Sequence, residues 1–241
     1  MTTVLPAPAP ASGFAGGLWA ALPIALGYFP IAFSFGVAAT RAGLSGPEAV
    51  MLSLVIYAGA SQFLALALLT GGAPFLVMAF TLIAMNLRHV LYGPALMKAA
   101  GPGAGRKRAW AWAFGLTDEV FGAALGALAR GRVRFSEPFM FGIGLGAYAA
   151  WVSGTAAGAL AGGGALDGWP VLNAALGFML PALFLALLGS IVTRAQVPLI
   201  VVAAAATVAL TLTVSPTAGI LGGMLAGALA GVLGLGGSDE P

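Results

Sequence analysis

The chain has 241 residues, of which 60% are hydrophobic and only 7% charged, and its formal net charge is +3. A soluble domain carries about 25% charged residues, so most of this chain's surface is predicted to face the lipid bilayer. Cysteine is absent, which excludes disulfides, thiolate metal sites and cysteine nucleophiles. No basic run is long enough to suggest a nucleic-acid partner.

Apolar stretches long enough to cross a bilayer predict an all-α transmembrane fold of about eight spans, with seven left open. Residues 1–16 are predicted to be a flexible N-terminal tail, residues 17–236 a single transmembrane domain and residues 237–241 a C-terminal tail. The N-terminal tail lacks a basic region, so the first hydrophobic segment is expected to be retained. The predicted spans are 17–40, 46–70, 74–97, 110–129, 138–160, 171–193, 197–214 and 217–235.

Span one contains Pro23, Gly27 and Pro30. Proline removes a helical N–H and clashes with the preceding turn, so a kinked or broken helix is expected here. Two interpretations stay open at this point. The helix either bends at an ordinary proline kink, or it is discontinuous and exposes backbone groups to a ligand.

Span two begins at a predicted capping box, because Glu48 follows Ser45 by three residues. Further along it carries a polar patch of Tyr57, Ser61 and Gln62 among small residues. Small residues beside an amide suit either a tight helix contact or a wall that faces a ligand, and both interpretations stay open.

Span three carries Arg88 beside the only histidine, His89, near its midpoint. A charge at that depth costs at least about 2.5–3.5 kcal/mol unless it meets a partner or a wet cavity. Arg88 and Tyr92 are four residues apart and therefore share one helix face. The sequence predicts a functional cluster around this arginine.

Span four carries Thr117, Asp118 and Glu119 near its own midpoint. Arg88 is expected to pair with one of the two carboxylates, since an unpaired buried charge is costly. One carboxylate is then left for His89, for a proton or for something that moves. A static bridge between Arg88 and Asp118 that only holds two helices together is the structural alternative.

The later spans are less informative. Span six is expected to break near Pro181, and Asp167 and Trp169 lie in the loop before it. Spans seven and eight are apolar and uncharged, as expected of scaffold helices or of helices that dock a partner.

A shift of 91 residues aligns the chain on itself, over copies of about 17–100 and 108–194. It pairs Trp19 with Trp110 and Tyr57 with Tyr148. Each copy contains three spans, an odd number, so the second copy would be inverted in the membrane, as in many secondary transporters. Counting basic residues in the loops of eight spans gives four on one side and five on the other, which leaves the orientation undecided. The four are Arg130, Arg132, Arg134 and Arg194, and the five are Arg41, Lys98, Arg106, Lys107 and Arg108.

No metal, cofactor or catalytic residue is predicted. One histidine without cysteine does not make a metal site, and the phosphate-binding GxxxxGK[ST], HExxH and GxSxG motifs are all missing. The intramembrane charges favour a secondary transporter over an enzyme. A channel or scaffold subunit is the second alternative, and an intramembrane enzyme the third.

Several stretches carry a resemblance to a known family, most specifically residues 56–63 (IYAGASQF) and 115–121 (GLTDEVF). Residues 89–96, 112–121, 151–158 and 174–184 add to it. The chain resembles the AzlC family, the large subunits of bacterial branched-chain amino acid (L-valine) exporters, from about residue 16 to 235. The resemblance implies export of branched-chain amino acids across the inner membrane, and a small AzlD-type membrane subunit as partner.

The site residues come from the residues themselves. A branched-chain amino acid offers a carboxylate, an ammonium group and an apolar tail. Arg88, or N–H groups freed where span one breaks, would take the carboxylate, and a carboxylate would take the ammonium. The predicted substrate-binding residues are Tyr57, Ser61, Gln62, Arg88, Tyr92 and Asp118. The residues predicted to couple transport to proton antiport are Asp118, Glu119 and His89.

Overall fold

In a computed structural model, the protein is described over residues 13–131, 133–164, 168–172, 174–176, 178, 182, 185, 189 and 192–235. This described part is helical and contains no strand. The helices are α1 (Phe14–Arg41), α2 (Gly46–Val55), α3 (Gly59–Thr70), α4 (Phe75–Asn86), α5 (His89–Ala100), α6 (Ala109–Trp112), α7 (Asp118–Ala129), α8 (Glu137–Gly162), α9 (Val197–Thr213) and α10 (Pro216–Val232). Short 3-10 turns follow α6 at Ala113–Gly115 and precede α9 at Arg194–Gln196.

Span one is one continuous helix, so of the two interpretations left open the discontinuous helix is wrong, and the proline kink stays a prediction. Pro23 and Pro30 both lie inside α1, which runs unbroken for 28 residues. Each proline removes one hydrogen bond, but the helix is packed along its whole length, with Ala21, Ile31 and Phe35 buried. No N–H groups are freed here to bind a ligand.

The breaks fall in the next three predicted spans instead. Span two divides into α2 and α3, span three turns briefly between α4 and α5, and span four divides at residues 116–117 before α7. The predicted capping box is confirmed, because the Ser45 side chain accepts from Glu48 N and the Glu48 carboxylate accepts from Ser45 N. Four helical stretches in the described part are long and apolar enough to cross a membrane: 14–41, 75–100, 137–162 and 194–213. Eight full spans are therefore not confirmed.

Several predictions fall outside the described residues. This group comprises residues 1–12 of the predicted N-terminal tail, Arg132, Asp167, Pro181 with the break expected there, and the predicted C-terminal tail at 237–241.

The chain forms two compact units. Unit one contains Met1–Phe63 and Ile83–Asn173, and unit two contains Leu64–Leu82 and Ala174–Pro241. The core of unit one is the pairing of α1 with α8. Gly17, near the start of α1, lies against Gly142, whereas Gly36, near the end of α1, lies against Ala159. The two helices therefore run in parallel. We call the end of unit one where both begin the near end, and the end where both finish the far end.

Glycines allow this close approach. An added Cβ at Gly146 would lie 2.6 Å from the Ala21 Cβ, and one at Gly154 would lie 2.6 Å from the Phe29 backbone oxygen. Helices inside a membrane gain little from the hydrophobic effect, so they associate through this kind of small-residue packing.

In unit two, α9 and α10 pack in the same way. Gly219 and Gly223 of α10 face Thr211 and Thr207 of α9 so closely that a Cβ would clash with either hydroxyl. The outward side chains of these helices, such as Val208, Leu212 and Leu225, are exposed and apolar, as suits contact with lipid or with another membrane subunit.

The predicted 91-residue repeat stays a prediction. Its alignment matches α1 with the segment 105–132, but α1 is continuous whereas that segment breaks before α7. It also matches the interrupted pair α2 and α3 with the continuous helix α8. Two contacts nevertheless join residues 91 apart: Tyr28 with Glu119, and Tyr57 with Tyr148.

Candidate functional site

Arg88 pairs with Asp118, as one of the two predicted options. An Arg88 guanidinium nitrogen lies 2.8 Å from an Asp118 carboxylate oxygen. Arg88 sits in the turn between α4 and α5, and Asp118 is the first residue of α7. Both side chains are nearly half exposed, at 45% and 46%, so the pair borders an open space in the described part of unit one.

Two aromatic side chains extend this pair along α5. The Tyr92 hydroxyl donates a hydrogen bond to the other Asp118 carboxylate oxygen, and its ring stacks on Phe121 with ring centroids 4.6 Å apart. The His89 ring packs edge-on against Tyr92 at 5.2 Å. Asp118 is therefore satisfied by a cation and a phenol, and His89 borders it.

Glu119 faces a different partner, although it follows Asp118 directly in the chain. The hydroxyl of Tyr28, on α1, donates to the Glu119 carboxylate and lies 2.6 Å from the Thr117 hydroxyl. Within the described residues no cation pairs with Glu119. The surplus negative charge expected from the sequence therefore lies on Glu119.

The break between α2 and α3 places Tyr57 in an uncommon backbone conformation. Its φ is +35°, the one positive value among the non-glycine residues that the structure describes. Residues other than glycine rarely adopt a positive φ, and backbone strain of this kind is concentrated at functional sites. Tyr57 is 4% exposed, and its hydroxyl has no hydrogen-bond partner among the described residues. The ring packs against Tyr148 and Phe114, with centroids 4.8 and 6.1 Å away.

Gln62 holds together the helices around this break. Its side-chain oxygen accepts from the Trp151 indole at 2.7 Å, and its nitrogen donates to the Ser53 hydroxyl at 2.9 Å. Ser53 in turn lies 2.7 Å from the Thr155 hydroxyl. All of these side chains are buried. The Trp151 ring lies against Gly59, where an added Cβ would lie only 2.5 Å from ring atom Cη2.

Ser61 is buried and donates to the Asn86 side chain at 2.8 Å, which links the start of α3 to the end of α4. The predicted residues therefore fall into two neighbouring groups. Arg88, His89, Tyr92 and Asp118 form an open charged group. Tyr57, Ser61, Gln62 and Glu119 lie among buried polar contacts around the helix breaks.

Sequence reasoning missed Tyr28, Ser53, Phe114 and Thr155. Tyr28 lay inside an apolar stretch, where an aromatic residue predicts only packing. Its position five residues after Pro23 gave no sign of its bond to Glu119, because that contact joins residues 91 apart.

These features define an integral membrane protein with a charged and polar cluster where interrupted helices meet. Residues 23–164 match the family described as AzlC protein. The chain is 47% identical over 197 residues to an inner membrane protein of Escherichia coli, YgaZ, covering 81% of this chain and 80% of that protein. An uncharacterized membrane protein of Archaeoglobus fulgidus is 42% identical over 179 residues, covering 73% and 74% of the two chains.

This chain belongs to the AzlC family. A further relative, the branched-chain amino acid transport protein AzlC of Bacillus subtilis, is 28% identical over 141 residues, covering 58% of this chain and 54% of that protein. No solved structure matches the chain.

Proposed function

We propose that this protein is the large subunit of a bacterial secondary transporter that exports branched-chain amino acids such as L-valine by proton antiport. The observation that carries the proposal is the separation of the two adjacent carboxylates. Asp118 is neutralised by Arg88, whereas Glu119 has a phenol but, within the described residues, no cation beside it. A carboxylate of that kind, inside an apolar chain, is suited to bind either a proton or an ammonium group.

The proposed substrate matches the chemistry around this carboxylate. Glu119 takes the substrate ammonium, and Arg88 or the N–H groups at the start of an interrupted helix take its carboxylate. The exposed apolar side chain of Leu87, next to Arg88 in the chain, suits the branched tail. Tyr92 and Asp118 line the approach, whereas Tyr57 and Ser61 are buried around the break between α2 and α3. Gln62 acts by positioning, since its polar atoms are already bound to Trp151 and Ser53.

Competition for Glu119 supplies the coupling. When the substrate ammonium occupies the carboxylate, a proton is excluded, and when the substrate leaves, a proton replaces it. Histidine is the side chain whose ordinary pKa lies closest to neutral pH, so His89, which borders the Asp118 pair, would pass the proton to solvent. The exchange needs no nucleotide and no metal.

The relatives support the setting of this activity. The Bacillus subtilis relative is named as a branched-chain amino acid transport protein, and the Escherichia coli relative as an inner membrane protein. We place this chain in the bacterial inner membrane with a small AzlD-type subunit. The exposed apolar side chains of α9, such as Val201 and Val208, offer that subunit a docking face.

The test is efflux from proteoliposomes that contain the protein together with an AzlD-type subunit. Radiolabelled L-valine loaded inside should leave faster when a proton gradient is imposed, and an uncoupler should remove the acceleration. No valine flux under any condition would overturn the substrate. Valine flux that the uncoupler leaves unchanged would overturn proton coupling alone.

The same vesicles separate the other candidate classes. A transporter shows counterflow, in which unlabelled valine on one side accelerates labelled valine from the other. A channel shows flux proportional to concentration and no counterflow. Chemical conversion of the released amino acid would instead indicate an enzyme.

A further inference from the structure

The segment from α6 to α7 runs from the near end of unit one towards its middle. The backbone N–H of Arg108, just before α6, donates to a Glu137 carboxylate oxygen at 2.6 Å, so α6 begins at the near end. Gly115 then lies against Gly144, and the Phe114 ring lies 5.7 Å from the Tyr148 ring. The segment therefore runs beside α8 from the near end towards the middle of α8.

From there α7 has to run back to the near end. It begins beside Tyr28, which packs on Trp151 at 5.2 Å, and Trp151 lies about 21 Å along α8 at 1.5 Å per residue. If α7 ran in the same direction as α8, it would end about 39 Å from the start of α8. The loop from Ala129 to Glu137 spans at most about 27 Å when fully extended, too short to return.

Contacts with α5 show the same direction for α7. Arg88 pairs with Asp118, and one turn later Tyr92 stacks on Phe121, so α5 and α7 run in parallel. Lys98, in the last turn of α5, and Arg106 line the same groove. Arg106 lies at the near end, so α5 ends there. Both helices therefore run towards the near end.

The pair α2 and α3 makes a similar excursion from the opposite end. Gly46 at the start of α2 lies near Ala159, at the far end. Ser53 then meets Thr155, and Tyr57 meets Tyr148. The partners on α8 thus move back towards its middle as α2 advances.

The direction of α3 follows from α4. Ser61, near the start of α3, bonds to Asn86 at the end of α4, and only four residues join the two helices, so they are antiparallel neighbours. A two-residue turn links α4 to α5, which runs to the near end. Since residues 83–86 of α4 lead into α5, residues 59–63 of α3 run the opposite way, towards the far end, and the ring of Phe63 accordingly meets Phe35, near the end of α1, at 5.2 Å.

We propose that α2–α3 and α6–α7 are re-entrant hairpins that enter the membrane from opposite faces, and that their tips, which meet at Tyr57 and Phe114, form the ligand site. The same order occurs twice: a long membrane-crossing stretch followed by a hairpin, with α3 and α7 both 12 residues long. This topology crosses the membrane three times between Phe14 and Gly162, whereas the predicted spans cross it five times.

The distribution of charge supports this topology independently. It places at the near end Lys98, Arg106, Lys107, Arg108, Arg130 and Arg134, and at the far end Arg41. Arg88 lies between the ends. Cytoplasmic loops carry an excess of Lys and Arg, so the near end is cytoplasmic. The eight-span count, four against five, had shown no such bias.

The tips also offer ligand groups. The Tyr57 hydroxyl is buried without a partner among the described residues, at the break that precedes α3, and the first N–H groups of a helix have no partner within that helix. Glu119 and Tyr28 lie at the other tip. Together they match an amino acid's carboxylate and ammonium, an assignment that rests on the proposed transport function. Non-helical backbone at membrane depth occurs where it is buried in protein or lines a cavity.

The topology can be tested in the natural sequence because it contains no cysteine. Four single variants are made: Leu44→Cys, Ala73→Cys, Gly103→Cys and Arg134→Cys. Each is labelled with a membrane-impermeant maleimide in whole cells and in inverted vesicles. Re-entrant hairpins predict that positions 44 and 73 label from one face and positions 103 and 134 from the other. Eight spans predict that 44 groups with 103, and 73 with 134, and that pattern would overturn the proposal.

The ligand site has its own test, L-valine binding to the purified complex. Tyr57→Phe should weaken binding at least tenfold, whereas Tyr148→Phe, whose hydroxyl is already bound to the Leu54 carbonyl, should change it less than twofold. Unchanged binding in Tyr57→Phe would remove the site from the tips. If the wild-type protein binds no valine, the proposed substrate fails, and the labelling pattern still decides the topology.

Discussion

Tyr28 and Glu119 are joined by a hydrogen bond from the phenol to the carboxylate, although 91 residues separate them in the chain. The bond ties the continuous helix α1 to the first turn of α7, where the helix has just resumed after a break. Its neighbour Asp118 instead pairs with Arg88. Two adjacent carboxylates are thereby given different partners.

The first prediction concerns Glu119→Gln, which keeps the shape and the bond from Tyr28 but removes the charge. Efflux of L-valine driven by a proton gradient should fall at least tenfold, because the exchangeable carboxylate is lost. Valine counterflow at equal pH should persist in part. Glu137→Gln, at the start of α8, is the matched control and should transport normally. Full gradient-driven efflux in Glu119→Gln would mean that the coupling lies elsewhere.

The second prediction separates a working ion pair from a static bridge. Arg88→Gln and Asp118→Asn should each reduce valine efflux, and the double variant should not recover it, because the substrate carboxylate still lacks the Arg88 cation. Unfolding should change little, by about 0–1 kcal/mol, since the pair is half exposed. Recovery of transport in the double variant would show that the pair only joins α5 to α7.

The third prediction concerns the buried network around Gln62. Gln62→Ala leaves the buried Trp151 indole without its acceptor and removes one of the two hydrogen bonds of Ser53, which should lower the free energy of unfolding by about 1–3 kcal/mol. Ser153→Ala, on the exposed side of α8, removes one local bond to the Ala150 carbonyl and serves as the control. Thermal unfolding in detergent measures both. A stable Gln62→Ala protein that has lost valine binding would make Gln62 a direct ligand instead of a positioning residue.

The fourth prediction concerns the contact between α1 and α8. In Gly154→Ala the new Cβ would lie 2.6 Å from the Phe29 backbone oxygen, so the helices must separate, at about 1–3 kcal/mol for an overpacked site. Gly27→Ala is the matched control. It changes a glycine of α1 whose added Cβ would meet nothing within 4 Å. Its melting temperature should equal or exceed that of the natural protein. Equal melting temperatures for the two variants would contradict the close packing.

The sequence by itself determined the class of protein and the identity of the central charges. Composition predicted a membrane protein because 7% charged residues cannot cover a soluble surface. The cost of a charge in lipid predicted that Arg88 would pair with Asp118 or Glu119, and the pair to Asp118 is observed. The capping box at Ser45 and Glu48 was also readable, because such signals are local.

Only the tertiary structure decided where the helices break. Proline suggested a break in α1, but α8 packs along that helix and keeps it continuous. The observed break at Tyr57 has no proline, and it lies where the Trp151 ring fills the space beside Gly59. Hydropathy measures the length of an apolar segment but not its direction. A re-entrant hairpin is therefore predicted as a membrane-crossing span. The direction of each segment, and with it the partner of Glu119, depends on contacts between residues far apart in the chain.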